Sequence, residues 1–121
     1  MKIAMPVEDK SLDSGVCPSF GRAPYFLFYN MLTNASYFLQ NAAATSQGGA
    51  GIKAAQVIAD EKVQALLTPR CGENAAQVLK ESGVVLYKTV AGTARENIDA
   101  LAEGKLLLLG DIHPGFHGHE R

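Results

Sequence analysis

An α/β domain built on a mixed five-stranded sheet is the fold this 121-residue sequence predicts, and three observations carry it. Short runs rich in branched and aromatic residues alternate with longer segments of helical period. Two aromatic runs, residues 25–31 and 36–39, flank the polar stretch Thr33-Asn34-Ala35 and read as an antiparallel hairpin. The later strands are separated by helices, so right-handed crossovers must carry the chain between parallel neighbours. Together these give the order 3-2-1-4-5 for a single domain with helices packed on the sheet.

The elements follow in order. Residues 2–7 form the first strand, with Pro6 marking its end or a bulge because proline donates no ladder hydrogen bond. After the hairpin, a turn with Gly48, Gly49 and Gly51 opens a helix to about Glu61, with Ile52, Ala55, Ile58 and Ala59 on one face. Residues 64–68 are a buried strand. A second helix, 73–82, stops at Gly83, which suits the left-handed cap position. Residues 84–87 make the fifth strand. Thr93-Ala94-Arg95-Glu96 is a capping box starting a third helix that ends near Gly104. Residues 106–109 are a further apolar run, a short strand or a packing segment. The organisation is therefore an α/β domain over 1–110 and a flexible histidine-containing tail over 111–121, where no helical or strand period survives.

Composition narrows the function classes. Eleven Lys and Arg face twelve Asp and Glu, which argues against nucleic-acid binding, since phosphate recognition needs a basic surplus. The apolar start at residues 1–7 is too short for a signal peptide, and no stretch approaches the roughly 20 apolar residues of a membrane span. A cytoplasmic protein is expected. In that reducing setting two cysteines are free, metal-bound or catalytic rather than a structural disulfide.

Those cysteines, Cys17 and Cys71, lie in two different loops, each carrying glycine, proline and polar neighbours that indicate exposed turns. The strand order brings the loops after strands one and four to one sheet edge, where open α/β sheets bind ligands. Two converging thiolates most readily hold a soft metal or an iron-sulfur species. They underfill a tetrahedral site, so tail histidines, exogenous sulfide or the same cysteines of a second subunit in a homodimer must complete it. Helix starts near Gly49 and at Gly72 would aim N–H groups and a positive dipole end at the crevice. The glycines of residues 48–51 form neither a dinucleotide fingerprint nor a phosphate loop. Acid-base catalysis has little support, because all three histidines, His113, His117 and His119, lie in the tail. A solvated tail that binds divalent metals loosely is the plain reading of those histidines, and buried apolar packing is the plain reading of the cysteines.

Several blocks in order resemble one family: residues 3–7, Phe20-Gly21-Arg22-Ala23-Pro24-Tyr25-Phe26, Gly48-Gly49-Ala50-Gly51-Ile52 with Lys53-Ala54-Ala55-Gln56, Gly72-Glu73-Asn74-Ala75, and Gly92-Thr93. The chain is similar to the nitrogenase iron-molybdenum cofactor biosynthesis, or dinitrogenase cofactor-binding, domain as a small stand-alone member. The resemblance implies a ribonuclease-H-like fold and a non-catalytic carrier or scaffold for an iron-sulfur or molybdenum- and iron-containing cluster. It also implies cluster donor or acceptor proteins as partners, with no nucleic acid and no membrane. It tips Phe20, Gly21 and Arg22 toward the site. Gly48, Gly49, Gly51, Gly72 and Asn74 complete the candidate cofactor-binding set, and the candidate metal ligands, read from the two loops and the tail rather than from the resemblance, are Cys17, Cys71, His113, His117 and His119. Two departures stand out: Cys71-Gly72-Glu73 replaces a common glycine-proline pair, and Lys62 stands where relatives commonly have glycine ahead of the fourth strand. The alternatives are a thiol-dependent enzyme using Cys17 or Cys71, and an interaction module whose cysteines are incidental.

Overall fold

The computed structural model describes residues 1–110 and the backbone pairing of Ile112–His113. Its sheet begins with β1 (Lys2–Val7), β2 (Tyr25–Asn30) and β3 (Ser36–Gln40), two antiparallel pairs in which Val7 faces Tyr25 and Tyr29 faces Ser36. A 3-10 turn (Ala42–Thr45) and α1 (Ala50–Asp60) then carry the chain to β4 (Ala65–Thr68), which lies parallel to β1. After β5 (Cys71–Gly72) and α2 (Glu73–Glu81) comes β6 (Val85–Lys88), parallel to β4. The chain continues through α3 (Ala94–Ala102) to β7 (Ile112–His113). The main sheet is ordered β3-β2-β1-β4-β6.

The expected fifth strand is thus β6, because Cys71–Gly72 forms a separate short strand before it. That two-residue strand pairs parallel with β7 rather than joining the main sheet. Regular pairing at Ile112–His113 departs from an irregular tail; the rest of that segment, with His117 and His119, lies outside the described residues. The apolar run at 106–109 serves as an edge: Lys88 N donates to Leu107 O and Leu109 N to Leu86 O.

Alternation along the strands sorts the core into two layers. Ala4, Phe26, Phe28, Leu66 and Leu86 face α1 and α2, meeting Ala54, Ala55, Ile58, Ala76 and Leu79. Ile3, Met5, Val7, Leu27, Ala65 and Leu67 face the other way, onto Ala94 and Ile98 of α3 and Leu106. Each large side chain so buried contributes about 1.5–3 kcal/mol. The crossover helices therefore lie on both faces, with α1 and α2 together on one.

Pro6 stays inside β1 without breaking it. It lies past the Ile3 and Ala4 pairing with β4, and its carbonyl accepts from Cys17 N at 2.9 Å. Gly83 adopts φ 80° after α2, as its position suggested, and Lys62 holds φ 60° before β4. That left-handed backbone is the one glycine adopts without steric cost, the physical reason a glycine suits position 62. Among the described residues, no helix is long and apolar enough to cross a membrane.

Candidate functional site

Three loops meet at one end of the sheet around an open cavity of about 640 Å³. The first, Pro18–Arg22 in number order between β1 and β2, is held by packing and hydrogen bonds. Phe20 is buried against Phe26, ring centroids 5.4 Å apart. Asn41, itself buried, donates from Nδ2 to Gly21 O and Ala23 O and accepts from Ala43 N. Arg22 Nη1 donates to Ala44 O at 2.9 Å and Ser46 O at 2.6 Å, tying this loop to the end of the 3-10 turn. Gly21 is where the loop touches α1: a Cβ there would sit 2.8 Å from Gly51 N and 2.9 Å from Gly51 Cα.

The second wall is the start of α1. Gly49 is its N-cap at φ 68°, with Ala50, Gly51 and Ile52 facing the cavity. The third wall is the loop after β4 and the start of α2, from Arg70 to Ala75. Thr68 Oγ1, fully buried, donates to Arg70 O and sets that turn. Gly51 lies close enough to α2 that its Cβ would be 3.6 Å from Ala75 Cβ, so the two helix starts stand side by side. Neither carries a side-chain cap, because both N-caps are glycine. The first-turn N–H groups, which no intrahelical carbonyl can satisfy, are therefore aimed into the cavity together with the positive ends of two helix dipoles.

Both cysteines are free thiols. The exposed turns their neighbours suggested are not what the fold makes of them. Cys17 is 6% exposed and Cys71 2%, and both belong to the core layer under α1 and α2. Only Cys71 lines the cavity. Cys17 instead turns its Sγ toward Ser19 O at 3.5 Å. Burial pushes both thiols up, Cys71 to about 11, so both are protonated at neutral pH. Among the described residues, no three His, Cys, Asp or Glu side chains converge to hold a metal ion. Of His113, only the backbone is described.

Phe20, Gly21, Arg22, Gly49, Gly51, Cys71, Gly72 and Asn74 thus line one cavity, while Gly48 stands just outside its lining. Sequence reasoning passed over Asn41, although an asparagine directly before a short helical turn is a recognisable N-cap. It also passed over Arg70, a lone basic residue with no motif around it. The strand order also leads the loop after β6, with Gly92-Thr93, toward that edge, but neither residue lines the cavity, and α3 packs on the opposite face of the sheet.

Comparison with known proteins agrees with this architecture. Residues 1–104 match the family described as dinitrogenase iron-molybdenum cofactor. An uncharacterised protein of Methanocaldococcus jannaschii is 30% identical over 109 residues, covering 88% of this chain and 89% of the relative. Among solved structures, the apo form of the orange protein from Desulfovibrio gigas is 33% identical with a TM-score of 0.86, covering 91% of this chain and 93% of that one. A NifB-like protein from Thermotoga, assigned to the DUF35 family, is 33% identical with a TM-score of 0.82, covering 95% and 98%. The chain belongs to the dinitrogenase iron-molybdenum cofactor family.

Proposed function

We propose that this protein is a non-catalytic carrier for an anionic metallocluster, iron-sulfur or molybdenum- and iron-containing, taken up in the three-loop cavity and passed between donor and acceptor proteins in the cytoplasm. The observation that carries the reading is the pair of glycine-capped helix starts, α1 and α2, opening side by side onto that cavity. Backbone N–H groups fixed by folding can hold a multiply charged anion without reorganising, and they are indifferent to its metal content. Arg22 and Arg70 add positive charge to the lining, and Cys71 adds a sulfur within reach of a soft metal. Family membership supplies the class of cargo. On this reading the sheet is a ribonuclease-H-like scaffold, and Cys71, rather than a pair with Cys17, is the inner ligand.

A thiol-dependent enzyme fits less well. A bound metal displaces the proton of a coordinating thiol itself, whereas a nucleophilic cysteine needs an accessible thiolate in the free protein, and Cys71 has a thiol pushed up to about 11 and 2% exposure. The test is anaerobic loading with iron and sulfide, followed by visible absorbance and the ratio of metal to protein. A coloured protein with stoichiometric metal supports the carrier, and Cys71→Ala should reduce its loading while Cys17→Ala changes stability more than colour. Wild-type protein that stays colourless and metal-free would overturn the reading.

A further inference from the structure

Two guanidinium groups stand on the cavity wall, and the structure gives them different occupations. Arg22 keeps its charge, but its Nη1 donates to the carbonyls of Ala44 and Ser46, so the guanidinium is held in place tying the first loop to the 3-10 turn. Arg70 is exposed and makes no side-chain hydrogen bond or ion pair among the described residues; its backbone is what Thr68 fixes. Three residues further along, Glu73 contributes the one carboxylate of the lining among the described residues, also exposed and without an ion pair to any of them. Asn74 beside it offers a neutral donor.

We infer that Arg70 is the residue that grips the anion and that Glu73 opposes it, so the loop after β4, rather than the Arg22 loop, sets charge selectivity at the cavity. This rests on the carrier reading and deepens it by assigning the residues that distinguish one anion from another. A planar guanidinium with five N–H donors can bind two oxygen or sulfur atoms of one anion, which an ammonium cannot match in geometry. Glu73 sits in the first turn of α2, where a carboxylate favours the helix dipole. Its charge stabilises the helix and at the same time weakens any anion bound at that helix start. Among the described residues no ion pair joins Arg70 to Glu73, so neither charge is taken up by the other.

The experiment is calorimetric titration of the purified full chain with sodium molybdate, a divalent oxyanion small enough to report on the rim alone. Arg70→Gln should weaken binding about tenfold, the scale of a lost charge-assisted hydrogen bond. Arg70→Lys should fall between, and Glu73→Gln should tighten binding. Raising sodium chloride from about 0.1 M to about 1 M, which shortens the screening length from about 10 Å to about 3 Å, should compress all three differences. The opposite signs matter, because unfolding or loosening of the loop cannot strengthen binding in Glu73→Gln; the Tm of each variant is recorded alongside. Equal affinity of wild type and Arg70→Gln would overturn the assignment. So would wild-type protein that takes up no molybdate, a result that leaves the carrier reading to its own iron and sulfide test.

Discussion

The start of α3 and the starts of α1 and α2 solve the same problem in opposite ways. At α3, every first-turn donor has a partner: Ala94 N donates to Ser14 O, Arg95 N to Leu12 O and Glu96 N to Thr93 Oγ1, while Glu96 Oε1 accepts from Thr93 N. At α1 and α2 the N-cap is glycine and no side chain closes the turn. A helix end capped by glycine gives up a few tenths of a kcal/mol that a serine or aspartate would recover. On the carrier reading, two such ends at one cavity, in a chain that caps its third helix completely, are where a little stability is given up for binding.

That contrast can be broken most severely at Gly21. Alanine there must displace the backbone of Gly51, not a flexible side chain, so Gly21→Ala should destabilise by about 3 kcal/mol, the upper end of overpacking costs. Gly15→Ala, beside the start of α3 and with open space around its Cβ, should be nearly neutral. Urea unfolding of both variants decides it, and equal midpoints would refute the close approach.

Cys71 gives the next largest effect, in pH dependence. Its folded thiol is raised from 9.0 to about 11, so the stability it contributes is complete below pH 9 and is lost as pH rises from 9 toward 11. The loss should be on the order of 2 kcal/mol, and Cys71→Ala should lack it while other groups titrate as before. Identical alkaline unfolding curves for the two proteins would show that burial does not hold the proton on.

Smaller effects sharpen the comparison. Thr93→Ala should lower stability by about 1 kcal/mol and leave iron and sulfide loading untouched, since the cap it removes serves only α3. Gly72→Ser should do the reverse. Gly72 has φ −71° and ψ 156°, the extended backbone of a capping serine, so stability should rise by a few tenths of a kcal/mol while loading falls as the hydroxyl occupies an α2 donor. If loading falls equally in both variants, the distinction between capped and uncapped starts carries no function.

Much of this was legible in the sequence. The hairpin, the sheet order, the Thr93 capping box and the glycine stop at Gly83 all follow from local periodicity and cap chemistry, which act over a few residues. The loops that meet at the cavity could be named because strand order alone brings them to one edge. What could not be read was the environment of individual side chains. Cys17 and Cys71 have glycine and proline neighbours that suggest exposure, yet the loops fold inward and bury them, an outcome set by tertiary packing with Phe20, Ala75 and Leu79. Arg22 and Arg70 look alike in the sequence; only the carbonyls of Ala44 and Ser46, more than twenty residues away, separate their roles. The pairing of β5 with β7 was invisible for the same reason, since two residues carry no period.

The most direct measurement is a backbone amide spectrum of isotopically labelled protein before and after anaerobic loading with iron and sulfide. A bound paramagnetic cluster broadens nearby amide signals. The account predicts that the amides of Ala50, Gly51 and Ile52 and of Glu73, Asn74 and Ala75 disappear first, with Ala94, Arg95 and Glu96 unchanged. Loss centred on α3, or a loaded protein whose α1 and α2 starts keep their signals, would contradict it.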